Sequence, residues 1–340
     1  MPITYKCPSC GAAMEFNAAT GKLHCNQCST DFDVKDYETR YGEQYNFRGT
    51  GNYTIFHCQS CGAELITDEY TSATICGFCG NPSLVGSRLD GEFSPSLIIP
   101  FKYDKTAATN EFKQWVRKGL FTPRTLMLNS TIEKLSGIYV PFWLYDMNAT
   151  DYMTGDATRS HRVDHPSYYE IITEHFDVMR DVEADFSRIP ADASEKMPDG
   201  IMDKLEPFDY RELLPFAMPY LSGYLSERYN YTAEDMENRV VARANKYISD
   251  IAVSSVKGYE HVSVLSNTPA SHSTQSLYAL LPVWMLHYRY NGKDYQFFLN
   301  GQTGKIVADR PISNLRRGIC FAGVFAATFI ITLIGGVLLW

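Results

Sequence analysis

The stretch YKCPSCGAAMEFNAATGKLHCNQC, residues 5–28, contains two cysteine pairs that decide how the N-terminal part of the chain folds. The pairs are Cys7 with Cys10 and Cys25 with Cys28, and 14 residues separate the inner cysteines (25 − 10 − 1). Two residues between cysteines allow a tight turn to direct both sulfurs at one metal ion, and the glycine that follows Cys10 suits the positive φ of such a turn. Two turns at this spacing, close to the usual interval of about 15 to 20 residues, are typical of a zinc ribbon.

The same pattern occurs a second time, further along the chain. Its cysteines each lie 51 residues after a counterpart (58 − 7, 61 − 10, 76 − 25, 79 − 28), and they are Cys58, Cys61, Cys76 and Cys79. Such a repeat indicates an internal duplication. The sequence therefore predicts tandem zinc ribbons with two structural Zn2+ ions, because four thiolates leave no coordination position open for catalysis. Disulfides or an iron–sulfur cluster would use the same cysteines and form the alternative. His24 and His57, each beside a ligand cysteine, are interpreted as surface histidines.

The charge balance argues against nucleic acid as the partner of these ribbons. The chain has 31 Lys and Arg against 39 Asp and Glu, a formal net charge of −8. Residues 1–90 carry six basic and ten acidic side chains, a balance of −4. Binding to nucleic acid depends on basic side chains that neutralise phosphates. Zinc thiolates imply a reducing compartment and the N-terminus shows no signal peptide, so we expect a cytosolic body.

The region after residue 95 predicts a mixed α+β fold. Asp104 is expected to cap one helix, and Thr232 with Asp235 forms a capping box for a second. The apolar segment GIYVPFWLYD, residues 137–146, predicts a strand, and the later segment LLPVWMLHY repeats its Pro-x-Trp motif after a shift of 141 (284 − 143). This echo predicts two copies of a strand, a helix and an antiparallel meander. A single α+β domain with a chance echo is the alternative.

The predicted organisation has seven parts. They are zinc ribbon 1 (1–35), a connection (36–52), zinc ribbon 2 (53–90), α+β unit 1 (95–190), a connector (191–215), α+β unit 2 (216–312) and a transmembrane helix (318–340).

The last of these parts is an apolar segment from Gly318 to Trp340. Its 23 residues carry no charge and would form about 34 Å of helix, enough to cross a bilayer. Arg316 and Arg317 precede it, so the positive-inside rule places the body in the cytosol. Because the sequence ends with this helix, we expect a single-pass cell-membrane protein with a tail anchor. A buried core helix is the alternative.

No catalytic signature stands out along the chain. The segment GQTGKI, residues 301–306, lacks the first glycine and the Ser/Thr of a phosphate-binding loop, so it is interpreted as a turn. His161 and His165 are four residues apart in a segment that predicts a loop, which is a weak basis for a metal or catalytic site. We therefore predict no catalytic residues, no cofactor besides Zn2+, and no enzymatic activity.

Several sequence blocks carry a resemblance to known proteins. The two cysteine segments look like those of bacterial transcription factor IIB-type zinc-ribbon proteins. The blocks IIPFKYD, GIYVPFWLYD, LEPFDYRELLPFAMPYLSGYLSERY and NGQTGKIV, followed by an apolar C-terminal helix, occur in the order found in the YdjG-like family of Bacillus and relatives. The resemblance covers nearly the whole chain.

This resemblance implies a function at the membrane. It implies a complex with a companion membrane protein and an SPFH-type protein, which together recruit a phage shock protein A homologue to the membrane under envelope stress. Family members are often labelled primosomal helicases because of their ribbons. The present sequence lacks the nucleotide-binding residues of a helicase, so that label is not carried over.

We therefore predict a non-enzymatic, tail-anchored membrane adaptor whose cytosolic zinc ribbons mediate protein–protein interaction. The alternative is a nucleic-acid-binding zinc-ribbon protein linked to replication or transcription.

Overall fold

The computed structural model of the chain describes residues 4–41, 55–57, 64–66, 71–75, 82–84 and 94–338. These residues form an α+β fold, as predicted. The strands are β1 (Met14–Asn17), β2 (Lys22–Cys25), β3 (Asp31–Phe32), β4 (Ile55–His57), β5 (Glu64–Ile66), β6 (Thr71–Ile75), β7 (Pro82–Leu84), β8 (Leu97–Ile98), β9 (Ser136–Asp164), β10 (Tyr169–Asp192), β11 (Leu214–Pro215), β12 (Leu225–Glu227), β13 (His261–Asn267), β14 (Ala270–Tyr290), β15 (Lys293–Asn300) and β16 (Ile306–Ala308). The α-helices are α1 (Val34–Tyr41), α2 (Lys105–Lys118), α3 (Asn129–Ile132), α4 (Asp199–Leu205), α5 (Ala233–Ser254) and α6 (Asn314–Leu338).

The N-terminal residues form a small module. Strands β1, β2 and β3 make a three-stranded sheet, and α1 follows it directly. Asp33 caps α1 by accepting a hydrogen bond from the amide of Lys35 at 2.9 Å. Tyr37 on this helix is buried, and its hydroxyl donates to the carbonyl of Lys6 at 2.8 Å. The cap and the tyrosine fix the short helix against the sheet.

The body of the protein is built on one eleven-stranded sheet. At its centre β9 pairs antiparallel with β14, from Ser136 opposite Met285 to Thr150 opposite Ala270. Strand β8 pairs in parallel with β14, and β12 pairs in parallel with β9. Strands of both predicted α+β units therefore share a sheet, and the first strand of each unit pairs with the long strand of the other.

The two halves of this arrangement correspond in register. Leu97 of β8 pairs with Ala279, and Leu225 of β12 pairs with Ile138, which precedes Ala279 by the shift seen in the sequence (279 − 138 = 141). The following helices begin at equal distances, because α2 starts eight residues after Leu97 (105 − 97) and α5 starts eight after Leu225 (233 − 225). The predicted duplication stays an inference, and this symmetry favours it.

Two tryptophans connect each unit to the other. The Nε1 of Trp284 donates to the carbonyl of Tyr103 at 2.8 Å, and the Nε1 of Trp143 donates to the carbonyl of Tyr231 at 2.9 Å. The two tryptophans are 141 residues apart (284 − 143), the same shift that relates Ile138 to Ala279. The two acceptor residues are 128 apart (231 − 103), which is also the interval between the starts of β8 and β12 (225 − 97). We call this pair of bonds the tryptophan clasp. Each bond holds the segment between the first strand and the helix of the opposite unit.

An aromatic cluster surrounds one half of the clasp. Phe101 stacks on Tyr224 with ring centroids 4.1 Å apart and packs edge-on against Tyr139 at 4.9 Å and Trp284 at 5.4 Å. Residues of both units therefore enclose Phe101, which is 1% exposed. Such ring geometries stabilise a core beyond the area that they bury.

Local signals read from the sequence agree with the structure at the helix starts and turns. Asp104 accepts from the amide of Ala107 at 2.6 Å, and Thr232 forms the predicted capping box with Asp235. The GQTGKI segment is a turn. The side-chain oxygen of Asn300 accepts hydrogen bonds from the backbone amides of Gln302 and Thr303, both at 2.9 Å.

The long strands differ from the prediction. The strand expected at 137–146 continues to Asp164, and β10 runs unbroken from Tyr169 to Asp192, so the two form one long hairpin. His161, predicted in a loop, lies in β9. Strand β13 pairs with β9 on the side opposite β10, from Met153 to Thr158. We call this three-stranded part of the sheet, formed by β13 and the adjoining parts of β9 and β10, the arm. Helix α5 covers one face of the arm.

Acidic side chains from β10 and α4 form ion pairs with Arg239 and Arg243 of α5. Arg239 contacts Asp192 at 3.1 Å, Asp199 at 3.2 Å and Asp203 at 2.6 Å. Asp192 is 1% exposed, and one of its carboxylate oxygens has no hydrogen-bond partner among the described residues. Burial raises the pKa of Asp192 to about 6, although Arg239 acts in the opposite direction.

Replacing Trp284 with Phe tests the tryptophan clasp. The variant leaves the half-buried carbonyl of Tyr103 without its donor, so we expect the free energy of unfolding to fall by about 1 to 3 kcal/mol. Urea unfolding of the full chain in detergent measures this. Trp115→Phe is the control, because its indole donates no hydrogen bond to a described residue. Equal losses in the two variants would contradict the clasp.

Replacing Asp192 with Asn tests the buried carboxylate. The folded-state pKa of about 6 lies above the ordinary value of 3.8, so the folded state binds the proton more tightly and stability falls as pH rises from about 4 to 6. The pKa difference corresponds to roughly 3 kcal/mol. Asp192→Asn should flatten this part of the stability profile, whereas Asp199→Asn, at the exposed partner of Arg239, should not. A wild-type slope retained in Asp192→Asn would refute the assignment.

Candidate metal centre

Two turns of matching geometry present the first four cysteines. In one, the amide of Cys7 donates to Ala12 at 2.7 Å and the amide of Gly11 donates back to Cys7 at 2.8 Å. In the other, the amide of Cys25 donates to Thr30 at 3.0 Å and the amide of Ser29 donates back to Cys25 at 2.8 Å. The equivalent residues of the two turns have positive φ, +77° at the glycine and +54° at the serine. Sequence reasoning identified the glycine and missed Ser29, because serine does not signal this conformation.

These turns bring four sulfurs together. The Sγ atoms of Cys7 and Cys28 are 3.5 Å apart, as are those of Cys10 and Cys25, and all four lie within 4.8 Å of one another. Cys7 and Cys25 are buried, while Cys10 and Cys28 lie on the outer side. Four thiol groups at this separation could hold a metal ion.

The surroundings of Cys28 favour the thiolate form that metals bind. Its Sγ lies 3.1 Å from the hydroxyl of Thr30, and this hydrogen bond lowers the pKa of Cys28 to about 6. At Cys10 a backbone hydrogen bond from Ala12 also lowers the pKa, but the neighbouring thiols, Cys25 first, outweigh it and raise the value to about 12. Four thiols this close cannot all ionise without a cation among them, which fits a metal-binding set.

The cysteine module is fixed to the body. The amide of Phe16 donates to the carbonyl of Ser222 at 2.9 Å, and the Ser222 hydroxyl donates to the carbonyl of Met14 at 2.6 Å. The ring of Phe16 packs edge-on against Tyr220 at 5.2 Å. The segment that makes these contacts leads directly into β12, so the module rests on the strand that joins the two units.

His24 stands outside the sulfur cluster. Its Nδ1 lies 2.6 Å from the carboxylate of Asp31 on the neighbouring strand. His161 and His165 are on the arm, where the ring of His165 stacks on Tyr168 with centroids 4.4 Å apart. Neither of these two joins the cysteine cluster.

The second cysteine set, Cys58, Cys61, Cys76 and Cys79, lies outside the described residues. The structure does describe the backbone pairing of the short strands next to these cysteines. His57 pairs with Glu64, and Ile75 pairs with Pro82. The residues 51 positions earlier pair in the same way in the first module. Lys6 (57 − 51) pairs with Ala13 (64 − 51), and His24 (75 − 51) pairs with Asp31 (82 − 51).

The structure thus defines an α+β protein with an N-terminal cysteine cluster suited to a metal ion. The segment Asn314–Ile334 of its C-terminal helix α6 is long and apolar enough to cross a membrane. No family model matches the chain, and no solved structure matches it. A protein of Bacillus subtilis (strain 168) named "Uncharacterized protein YdjG" is 39% identical over an alignment of 347 positions, which covers 97% of this chain and 96% of that protein. The chain therefore belongs to the YdjG family.

Replacing Cys25 with Ser tests the metal centre. Removal of one of four thiolates should release the ion and destabilise the module, because the free energy of metal binding contributes directly to folding in so small a unit. We expect the full chain to lose one equivalent of bound metal by elemental analysis. Cys320→Ser, in α6, is the matched control and should keep the wild-type metal content. Unchanged metal content in Cys25→Ser would show that these sulfurs do not hold the ion.

Proposed function

We propose that the protein is a membrane-anchored, non-enzymatic adaptor whose body lies in the cytosol and carries two structural zinc ribbons. Its partners, by family resemblance, are a companion membrane protein, an SPFH-type protein and a phage shock protein A homologue that is recruited during envelope stress.

The exposure of α6 is the observation that carries this proposal. None of its residues from Asn314 to Ile334 is buried, and large apolar side chains such as Phe325 and Ile331 are 72% and 68% exposed. Apolar surface of this extent is unstable in water, and a lipid bilayer would cover it. Arg316 and Arg317 at its amino end favour a cytosolic body.

The sulfur geometry supports zinc as the bound metal. A tetrahedral ion with Zn–S bonds of about 2.3 Å separates its sulfurs by about 3.8 Å. Two of the sulfur pairs, at 3.5 Å, are close to that value, and all four sulfurs lie within 4.8 Å of one another. The matching strand register around the second cysteine set supports a second ion of the same kind. A closed four-thiolate shell gives stability and a rigid surface, which suits a docking module.

The charge of the first module favours protein partners over nucleic acid. Residues 4–41 carry four basic and five acidic side chains, a balance of −1. A module that bound phosphate backbones would need a basic face. We therefore assign the ribbons to protein docking.

Two aspartates placed in α6 test the membrane anchor. Ile330→Asp with Ile331→Asp should cost roughly 5 to 7 kcal/mol of insertion free energy, since each charge at the helix centre costs about 2.5 to 3.5 kcal/mol. We expect the wild type to resist alkaline extraction from cell membranes and the double variant to enter the soluble fraction. Ile330→Leu with Ile331→Leu is the control and should remain in the membrane. A wild-type protein extracted by alkali would refute the proposal.

A further inference from the structure

Two segments far apart in sequence form a basic surface around the start of α6. They are residues 117–128, which begin in the last turn of α2, and residues 310–317, which include the first turn of α6. We call them together the collar. The collar contains six basic residues and no acidic residue, and the basic ones are Arg117, Lys118, Arg124, Arg310, Arg316 and Arg317.

Direct contacts join the two segments of the collar. The amide of Ser313 donates to the carbonyl of Phe121 at 2.8 Å, and the guanidinium of Arg316 donates to the carbonyl of Thr122 at 2.7 Å. The guanidinium of Arg310 lies over the ring of Trp115 at 5.3 Å. Folding therefore brings the basic residues at the end of α2 next to those that precede the uncharged part of α6.

These contacts place the collar at the height of the lipid headgroups. Ser313 and Arg316 precede Gly318, the first residue of the uncharged segment, by five and two residues. At 1.5 Å per residue they lie within about 8 Å of that position along the helix axis. The headgroup layer of each leaflet is about 5 to 7 Å thick, so the loop that contacts these residues lies at its level.

The collar is positively charged, whereas the remainder of the chain has a net negative charge. Without its six cations the protein has 25 basic and 39 acidic residues, a balance of −14. No basic residue of the collar forms an ion pair with a carboxylate in the part of the chain that the structure describes. These cations are therefore available to a ligand outside the protein.

Exposed apolar side chains alternate with these cations. Leu120 is 64% exposed, Leu128 59%, Ile312 53% and Leu315 74%. Leucine and isoleucine between arginines and lysines are typical of surfaces that lie in the membrane interface, where apolar side chains enter the lipid and cations contact phosphates. An acidic protein partner would match the charge, but the position beside α6 favours lipid.

We propose that the collar binds the phosphate headgroups of anionic phospholipids and so holds the body against the bilayer. The proposal rests on α6 crossing the membrane, as the proposed function states. Anionic lipid attracts each cation near the surface, and salt screens this attraction. The body would then have a fixed orientation to a membrane rich in anionic lipid.

Hydrogen exchange of the full chain in lipid nanodiscs tests this proposal. We expect the amides of residues 117–128 to exchange more slowly in discs of phosphatidylcholine with phosphatidylglycerol than in discs of phosphatidylcholine alone. High salt should abolish the difference. Lys118→Glu with Arg124→Glu should lose the slowing, whereas Lys246→Glu with Lys257→Glu, an equal charge change at exposed sites on and just after α5, should keep it.

The outcomes separate the two proposals. Equal exchange in both disc types, with the chain incorporated in each, would overturn lipid binding by the collar and leave the membrane anchor intact. A chain that does not enter discs would overturn both. Slowing in phosphatidylcholine discs on addition of inorganic phosphate alone would show a site for free anions, and would also overturn the proposal.

Discussion

The tryptophan clasp is the interaction on which the body of this protein depends. Trp143 and Trp284 each donate a hydrogen bond, at 2.9 and 2.8 Å, to the segment that starts the opposite unit. Those segments supply the short strands that pair in parallel with β14 and β9. Neither unit can complete its sheet alone, so the two predicted units form one folded body.

The two features that bear on function are attached to elements fixed by this clasp. The cysteine module contacts Tyr220 and Ser222, on the segment that leads into β12, and the adjacent Tyr224 stacks on Phe101 in the aromatic cluster. Helix α6 begins against the loop after α2. Strand β8, which precedes α2, pairs with β14 of the other unit. In the proposed adaptor, partners docked on the cysteine module would keep a defined position relative to the membrane, because the module and α6 both contact the same folded body.

Local chemistry was predictable from the sequence, whereas long-range pairing was not. Paired cysteines, the Asp104 cap and the Thr232 capping box each depend on residues a few positions apart, and all appear in the structure. The length of β9 was missed because beyond Met153 and Ala157 few of its side chains are buried, so the apolar alternation that marks a strand fades. The exchange of first strands between units leaves no local signal, since strands of two and three residues are too short to show a period.

Crosslinking mass spectrometry on membranes from cells that express the full chain tests the adaptor most directly. We expect crosslinks from lysines of the ribbons and body to the companion membrane protein, the SPFH-type protein or the phage shock protein A homologue. Recovery of the expected crosslinks within the chain, with none to any of these proteins under envelope stress, would contradict it.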